Sequence, residues 1–442
     1  MIYTLEKKIS YLARLKFRTF FNLERVKIPI IFGTHLDYNS QLLLEDGSSF
    51  IGKGFGFPGI VGGEVVFNTG MVGYTESLTD PSYRGQILCM TYPLIGNYGI
   101  PSYGDLDDLG LPKYFESMNI QVKGLIVNEI SSVASHRNCE RTLDQWLFEE
   151  RIPGISGIDT RELTKRIRAD GVMRGGMAVS EGAIPTEQLT KVVDETRYDG
   201  FNFMQEVSTA TPIEYGNRSL PCVVLIDTGT KFSIIRNLIR VGFRVVCVPW
   251  DSTISEILSY KPKGVVISNG PGDPKMCGTT ITTTNKLINL SIPMLGICLG
   301  NQIIALAGGG DTHKLKFGHR GQNKACTDLE SELSIITSQN HGYGIEPGSL
   351  RSTEFDAWYL NADDQTVEGI KHRSKPVIAV QFHPEASPGP NDSITLFKKF
   401  KDLIINSRLV DNGKIDRKKK GTIINRNENS NRREEENFRG MK

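Results

Sequence analysis

The chain has 442 residues, of which 39% are hydrophobic and 23% charged, and its formal net charge at pH 7 is +2. This length is enough for two or three domains with sizeable cores, and the near-neutral charge argues against a nucleic-acid-binding surface over the whole molecule. The seven cysteines show no C-x-x-C spacing. The sequence also contains no run of about 20 apolar residues. We therefore expect neither a zinc or redox cysteine motif nor a transmembrane helix.

The composition predicts a soluble intracellular protein. An odd number of scattered cysteines fits a reducing compartment better than secretion. The abundance of Asn, Ile and Lys suggests an AT-rich genome, so both the stroma of a plastid and the cytoplasm are open as locations.

Both ends of the chain differ from the rest in composition. Residues 1–39 alternate basic and apolar side chains, which predicts a disordered or loosely helical extension; a targeting or membrane-surface role is the alternative. Residues 411–442 are rich in Lys, Arg, Glu and Asn. Such a segment cannot bury enough apolar area to offset the entropy of ordering, so we expect a disordered, charged tail.

Residues 40–190 have the pattern of a small β-rich domain. Residues 41–50 predict a hairpin around an Asp-Gly turn, and 64–69 and 124–127 predict further strands. Glycines recur between these short strands, which favours a β-rich domain over βαβ units. A helix with an Asp or Thr cap is predicted within 155–165.

Residues 191–410 have a different sequence pattern. Residues 191–219 are polar with weak periodicity and are predicted as a linker. In 220–410, near-continuous apolar strands alternate with helical patterns, which implies a parallel sheet with helices on both faces. The predicted fold class is thus α/β, a doubly wound, mostly parallel sheet preceded by the β-rich domain. The predicted strands are 222–227, 244–248, 264–268 and 293–297, with the first helix at 232–241.

A cysteine follows the last of these strands. Cys298 has Gly296 and Gly300 two residues away on either side, the form of a nucleophile elbow, in which glycines permit a sharp, strained turn that exposes the nucleophile. The cysteine would also lie at a helix N-terminus, whose partial positive charge favours thiolate over thiol. We predict a catalytic nucleophile; a buried structural cysteine in a Gly-rich turn is the alternative.

A histidine and a carboxylate follow a later predicted strand, 377–382. A thiol needs a base that takes its proton and returns it to the leaving group, and histidine titrates near neutrality. The base needs an acceptor that fixes its tautomer, and a carboxylate supplies one. His383 and Glu385, two apart in an extended segment, would point to the same side. We predict that Cys298, His383 and Glu385 form a catalytic triad.

These two stretches resemble the class I (triad) glutamine amidotransferases, whose Cys-His-Glu triad hydrolyses the side-chain amide of glutamine. The fuller match includes the segments 269–274 and 384–390 and is similar to the small subunit of carbamoyl-phosphate synthase, over roughly residues 41–407. The segment 71–83 resembles the N-terminal domain of that subunit, which other class I amidotransferases lack. The resemblance implies a flavodoxin-like amidotransferase domain and glutamine as substrate.

The resemblance also implies functions for residues around the predicted triad. The backbone N–H groups of Leu299 and Gly270 would stabilise an oxyanion, and Ser82 would reach the glutamine across a domain interface, although 80–82 taken alone predicts only a turn. His341 is predicted to be structural rather than a second base. The glutamine-binding set is Ser82, Gly270, Gly272, Leu299, Gln302, Asn340, Gly342 and Tyr343.

A large synthetase subunit is the implied partner; it would bind ATP, Mg²⁺ and bicarbonate and receive ammonia through an internal tunnel. This chain shows no Walker-type phosphate loop, so we expect no cofactor and no metal on it. The carbamoyl phosphate would serve arginine or pyrimidine biosynthesis, or both.

Three features depart from the family pattern, the least consequential being Asn391, which stands where His is common. Asn301 stands where the family usually has His, which predicts altered packing rather than loss of activity. The segment 227–233 lacks the usual aromatic residue and Asn, which leaves its loop contacts open. A non-catalytic scaffold with the same fold and a glutaminase for another synthase, such as those making anthranilate or GMP, are the alternative functions; segment 71–83 argues against the second.

Overall fold

The computed structural model describes residues 38–411, and the predicted N-terminal extension and most of the charged tail lie outside the described residues. Its first half is a closed β-barrel in which the strands follow the order β1-β2-β8-β6-β4-β3-β9, with β9 pairing back onto β1. A separate pair, β5 and β7, lies beside it. The strands are β1 (Tyr38–Leu44), β2 (Ser49–Gly56), β3 (Gly59–Asn68), β4 (Gln86–Met90), β5 (Leu94–Ile95), β6 (Gly124–Ile126), β7 (Glu129–Ile130), β8 (Pro153–Ser156) and β9 (Met173–Ser180).

Parallel strand pairs within the barrel differ from the sequence prediction. β1 and β2 form the expected antiparallel hairpin, but β3 pairs with β4, β4 with β6 and β6 with β8 in parallel. Parallel neighbours require crossover connections, so the prediction of a domain without βαβ units was wrong. The helices of this half are α1 (Tyr74–Thr79), α2 (Leu143–Glu149), α3 (Thr160–Asp170) and α4 (Thr186–Glu195).

The crossover from β3 to β4 is the connection that matters for the site. It consists of α1 and a single 3₁₀ turn, Pro81–Tyr83. Asp80 begins this turn, because its side chain accepts a hydrogen bond from the backbone N–H of Ser82. The predicted turn at 80–82 is therefore present. It projects from the barrel toward the second half of the chain.

The segment predicted as a linker, residues 191–219, contains regular structure. It holds the end of α4, the short helix α5 (Met204–Val207) and the strand β10 (Ile213–Tyr215). Tyr198, Phe203 and Met204 are buried in the core of the second half. Weak periodicity in this segment therefore reflects short elements that pack on their neighbours.

The second half is built on a ten-stranded sheet of order β10-β12-β11-β13-β14-β19-β18-β16-β15-β17. Its centre, from β12 to β19, is parallel, and antiparallel strands extend it on both sides. The strands are β11 (Cys222–Asp227), β12 (Arg244–Pro249), β13 (Gly264–Ile267), β14 (Met294–Ile297), β15 (Thr312–Asp328), β16 (Ser334–Ile345), β17 (Phe355–Asn361), β18 (Val367–His372) and β19 (Val377–Val380). The helices are α6 (Phe232–Arg240), α7 (Ile254–Ser259), α8 (Gly278–Asn289), α9 (Leu299–Ala307) and α10 (Leu396–Asp411).

Helices cover both faces of the parallel strands, as the apolar strand pattern predicted. Successive side chains of a strand point to opposite faces. In β11, Val224 and Ile226 pack with α7, α8 and α9, whereas Val223 and Leu225 pack with α6 and α10. The α/β class and the β-rich first half are both confirmed. Among the described residues, every helix is too short or too polar to cross a membrane.

The antiparallel hairpin β15–β16 was not predicted from the sequence. Its strands, of 17 and 12 residues, carry many polar side chains. Several of them, among them His319, Arg320, Asn340 and His341, are nevertheless buried. Hydrophobic alternation cannot reveal strands that bury polar groups, because the pattern assigns polar residues to solvent.

Close backbone packing explains the second glycine of the Gly-x-Cys-x-Gly pattern. A Cβ atom on Gly300 would lie 2.2 Å from the carbonyl oxygen of Ile267 in β13. The backbone N–H of Gly300 also donates to the Ser268 carbonyl at 3.0 Å. Helix α9 therefore rests on β13 at a distance that only glycine allows.

We expect Gly300→Ala to lower the free energy of unfolding by about 1–3 kcal/mol, because the added methyl group must push α9 away from β13. Chemical denaturation measures this change. Gly278→Ala is the control: Gly278 begins α8, and a Cβ there would meet nothing within 4 Å. Equal stability of the two variants would contradict the close-packing explanation.

Candidate active site

Cys298 occupies a strained turn between β14 and α9. It is the N-cap residue of α9 and has φ +55° and ψ −103°, a conformation that costs a non-glycine residue about 1–3 kcal/mol. Its backbone N–H donates to the Val380 carbonyl of β19 at 2.8 Å. A Cβ atom on Gly296 would lie 2.6 Å from the Gly300 carbonyl oxygen, so both flanking glycines are sterically required. The predicted nucleophile elbow is present as a backbone feature.

His383 and Glu385 come together through a turn and not along an extended strand. β19 ends at Val380, and His383 forms an isolated bridge with Ser338 of β16, whose carbonyl accepts the His383 N–H at 2.9 Å. The chain then turns back, because the N–H of Ala386 donates to the His383 carbonyl. The predicted extended geometry was therefore wrong. The predicted contact exists: Nδ1 of His383 lies 2.6 Å from Oε1 of Glu385.

Lys231 is the third charged group of this cluster, and sequence reasoning gave it no function. Its Nζ lies 3.0 Å from Oε1 of Glu385, and the side chains of both residues are almost fully buried, 3% and 0% exposed. Lys231 Nζ also donates to the Ala386 carbonyl. Glu385 thus accepts from a histidine on one side and a lysine on the other.

The electrostatics of the three groups are coupled. Burial lowers the pKa of His383, but the negative charges of Glu385 and Cys298 raise it by more than burial lowers it. The resulting pKa is about 10. Burial raises the pKa of Glu385, but Lys231 and His383 together lower it to about 2. At neutral pH the imidazole is therefore an imidazolium and the carboxyl a carboxylate. A cation beside Cys298 stabilises negative charge on its sulfur.

The unusual segment 227–233 forms a well-bonded loop that carries Lys231. Oδ1 of Asp227 accepts from the N–H groups of Gly229 and Thr230, at 3.0 and 2.8 Å. The hydroxyl of Thr228 bonds to the carbonyls of Ser268 and Asn269, each at 3.0 Å. The segment that departs from the family pattern therefore has its own set of loop hydrogen bonds.

A small cavity of about 20 Å³, partly open to solvent, lies next to Cys298. Eight of the eleven residues predicted for the site line it: Ser82, Gly270, Gly272, Cys298, Gln302, Asn340, Gly342 and Tyr343. His383 lines a second cavity, which shares Asn340 with the first, and Leu299 begins helix α9.

The barrel crossover closes one side of this cavity. Asn269 Nδ2 donates to Ser82 Oγ at 2.9 Å, and Asn340 Nδ2 donates to Asp80 Oδ2 at 2.9 Å. Asp80 also holds the N–H of Ser82. This carboxylate therefore fixes Ser82 and Asn340 together.

Gly270 is held close to the helix that carries the nucleophile. A Cβ atom at this position would lie 1.9 Å from the Thr228 carbonyl oxygen and 2.8 Å from the Leu299 side chain. Leu299 is the first residue of α9, where backbone N–H groups have no acceptor within the helix. The geometry can supply two N–H donors near the Cys298 sulfur.

Two buried amides, Gln302 at the cavity wall and Asn301 beside it in α9, share an acceptor on Gln381. Nε2 of Gln302 donates to the Tyr343 carbonyl at 2.8 Å and to Oε1 of Gln381 at 3.1 Å. Asn301, the residue that departs from the family pattern, is fully buried and donates to the same Gln381 oxygen at 3.3 Å. The Asn301 side chain is therefore only partly paired, because its buried Oδ1 makes no hydrogen bond with any described residue.

Charged residues that were not predicted also line the cavity. Arg320 comes from β15, and the Lys314 ammonium pairs with Glu64 of the barrel at 2.7 Å and with Asp199 at 2.6 Å. Tyr343 donates its hydroxyl to the same Asp199 at 3.0 Å. These contacts join positions far apart in sequence, so no local motif indicates them. A cavity with charges of both signs can hold a zwitterion.

Comparison with known proteins gives consistent matches to both halves. The family model described as glutamine amidotransferase class-I matches residues 224–403, and that of the carbamoyl-phosphate synthase small chain, CPSase domain, matches residues 42–177. The carbamoyl phosphate synthase small chain of Pyrococcus furiosus is 48% identical over 365 residues, 82% of this chain and 97% of that one. The pyrimidine-specific small chain of Halalkalibacterium halodurans is 44% identical over 371 residues, 83% of this chain and 98% of that one.

We expect Glu385→Gln to lower the pKa of His383 by about 1–3 units, because the adjacent negative charge is lost while burial remains. NMR titration of histidine-labelled protein measures this pKa. Its folded value, about 10, exceeds the unfolded value of about 6.5. The raised pKa of His383 therefore contributes stability that is present at pH 6.5 and is lost as pH rises toward 10.

The variant should lose less stability than the wild type between pH 6.5 and 10, because its His383 pKa lies closer to the unfolded value. Glu346→Gln is the control, because Glu346 pairs with the exposed His313 at 3.3 Å and is distant in sequence from His383. An unchanged His383 titration in Glu385→Gln would contradict the assigned electrostatics.

Proposed function

This chain belongs to the carbamoyl-phosphate synthase small chains, and on that premise we propose how its residues hydrolyse glutamine for a large synthetase subunit. Membership makes it a glutamine-hydrolysing enzyme subunit with a large-subunit partner. The specific assignments, namely the triad, the glutamine contacts and the fate of the ammonia, are the proposal.

The observation that carries the proposal is the arrangement of His383. Glu385 holds one ring nitrogen at 2.6 Å. The imidazole also interacts with the Cys298 side chain, which raises its pKa, and no other side chain pairs with Nε2 among the described residues. A histidine oriented by a carboxylate, with its second nitrogen free beside a nucleophile, is the arrangement that acyl-transfer enzymes use. Lys231 orients Glu385 from the other side and acts as a positioning residue.

Hydrolysis would proceed through a covalent intermediate. The Cys298 sulfur attacks the carboxamide carbon of glutamine and forms a tetrahedral oxyanion. As the oxyanion collapses, the C–N bond breaks and the nitrogen takes a proton from His383 Nε2, so ammonia leaves and a glutamyl thioester remains. His383 Nε2 then takes a proton from water, the resulting hydroxide attacks the thioester, and the C–S bond breaks to release glutamate.

The oxyanion would be bound by the N–H groups of Leu299 and Gly270. Each such donor lowers the barrier by about 3 kcal/mol in comparable sites. The close approach of the Gly270 backbone to Leu299 supports this assignment. Both N–H groups belong to positions that the elbow and the loop after β13 fix before substrate binds.

Glutamine would lie in the cavity with its amide toward Cys298. Ser82, Gly272, Gln302, Asn340, Gly342 and Tyr343 are the proposed contacts to the amino-acid end. Ser82 and Asn340 come from different halves of the chain and share the Asp80 carboxylate. Glutamine binding therefore depends on the barrel as well as on the amidotransferase sheet.

The released ammonia would pass to the large subunit. Free ammonia is mostly protonated at neutral pH and is then not nucleophilic, so direct transfer preserves its reactivity. The ATP-dependent steps would take place on the large subunit, and the carbamoyl phosphate would enter arginine or pyrimidine biosynthesis, or both. The pyrimidine-specific relative supports the pyrimidine branch.

Glutamate release from glutamine tests the proposal. We expect slow release by the isolated chain, faster release with a large subunit, and a loss of at least about 10⁴-fold in Cys298→Ser, because the serine hydroxyl is a far weaker nucleophile in this site. Quenched reactions should contain a glutamyl thioester only in the wild type.

Cys277→Ser is a matched control. Cys277 is also a buried helix N-cap, but its φ of −91° is unstrained. This variant should retain wild-type activity. If Cys298→Ser kept its activity, or if the wild type were inert even with the large subunit, the triad assignment would fail.

A further inference from the structure

A second cluster of buried, chemistry-bearing side chains lies beside the glutamine cavity. His319 of β15 is directly opposite His341 of β16, and Glu368 lies on β18, which also pairs with β16. One ligand atom from each residue lies within 4.8 Å of the other two. All three residues are at least nine-tenths buried. The proposed hydrolysis uses none of them.

The hydrogen bonds of these residues leave two atoms without partners. Nδ1 of His341 lies 2.8 Å from the Tyr343 carbonyl, so this nitrogen carries the hydrogen and Nε2 presents a lone pair. Nε2 faces Glu368 Oε1 at 3.9 Å and makes no hydrogen bond. Glu368 Oε2 is also buried without a hydrogen bond. The lone pair of His341 Nε2 and the Glu368 carboxylate face each other, and this arrangement is favourable only if a positive charge lies between them.

An imidazolium at His319 explains only part of this arrangement. Its Nδ1 lies 3.2 Å from Glu368 Oε1 and its Nε2 lies 2.9 Å from Asp364 Oδ2. A doubly protonated ring would satisfy these two contacts. It would leave His341 Nε2 and Glu368 Oε2 unpaired, because neither atom is bonded to His319.

We propose that His319, His341 and Glu368 bind a divalent transition-metal cation, with Zn²⁺ as the best fit. Two imidazoles and one carboxylate are a common zinc ligand set, and a fourth position would be left for water. The cation would meet His319 Nδ1, His341 Nε2 and a Glu368 oxygen, so both unpaired atoms would gain a partner. Such a site would differ from our expectation that the chain holds no metal.

Each ligand already has the outer contact that metal sites require. Metal-binding histidines donate their second N–H to a carboxylate or a carbonyl. His319 has Asp364 for this purpose, and His341 has the Tyr343 carbonyl. Asn361 Nδ2 donates to Glu368 Oε1 at 3.1 Å and orients that carboxylate. The tautomers of the two histidines and the orientation of the Glu368 carboxylate are therefore already those that a cation needs.

The position of the cluster gives the cation a structural effect on the glutamine pocket. His341 lies between Asn340 and Gly342, two of the proposed glutamine contacts. A cation that fixes the His341 ring would hold this strand segment in place, so glutamine should bind more tightly when the site is filled. This second part rests on the proposed function, whereas metal binding itself does not.

Metal binding is tested in the full-length Cys298→Ser variant, so that the reactive thiol cannot contribute a ligand. Equilibrium dialysis with Zn²⁺ alone should give one ion per chain, and Co²⁺ alone should give an optical spectrum of nitrogen and oxygen ligation. Glu368→Gln, added to this background, should bind Zn²⁺ at least about tenfold more weakly. Zinc content unchanged by Glu368→Gln would overturn the proposal.

Asp364→Asn guards against a variant that fails to fold, because Asp364 is partly exposed and touches the site only through His319. It should lower Zn²⁺ affinity by about 10- to 100-fold. His313→Gln is the matched control, since its ring pairs with a carboxylate at the surface. Loss of Zn²⁺ from His313→Gln to the same extent would overturn the assignment.

Glutamine affinity of Cys298→Ser, measured by calorimetry with and without Zn²⁺, tests the second part. A lower Kd with Zn²⁺ would support the effect on the pocket, and an unchanged Kd would overturn it. Absence of glutamine binding under both conditions, with Zn²⁺ still bound, would count against the proposed function and not against the metal site.

Discussion

A buried chain of charges, Lys231–Glu385–His383, is the constraint on which the site depends. Charged groups removed from water are costly unless they are paired, and loss of one partner leaves the others uncompensated. Lys231 comes from the loop after β11 and Glu385 from the turn after β19, so the ends of two non-adjacent strands must meet at fixed positions. The parallel centre of the sheet provides this meeting point, because the carboxyl ends of parallel strands lie at one edge. The strained Cys298 turn ends a strand between them.

The barrel contributes its β3–β4 crossover to the site, in addition to Glu64, which pairs with Lys314. The turn that carries Ser82 leaves the barrel after α1, and Asp80 ties it to Asn269 and Asn340 of the second half. A carboxylate that accepts several N–H groups in a buried environment holds them more firmly than exposed bonds could. The two halves are thus joined at the substrate cavity itself, and the barrel forms part of the binding site.

Apolar strands and the elbow could be predicted from the sequence, because burial on both faces and a strained turn each leave a local pattern. The predicted strands of the parallel centre differ from the observed ones by at most two residues at either end. The polar strands β15 and β16 could not be predicted, since their buried polar side chains are satisfied by distant partners. Lys231 and Arg320 were not predicted as site residues for the same reason, because their partners are distant in sequence or depend on the fold. The turn at His383 was missed because it depends on a bridge to Ser338 in another strand.

The hydrogen bond between Asn340 and Asp80 joins positions 260 residues apart. Contacts of such separation form only after most of the chain has been ordered, and proteins are synthesised from the N-terminus. The barrel and its crossover leave the ribosome long before Cys298, and His383 and Glu385 follow last of all. A nascent chain therefore carries an incomplete pocket until almost its whole length has been made. The order of synthesis alone therefore prevents unfinished chains from hydrolysing glutamine.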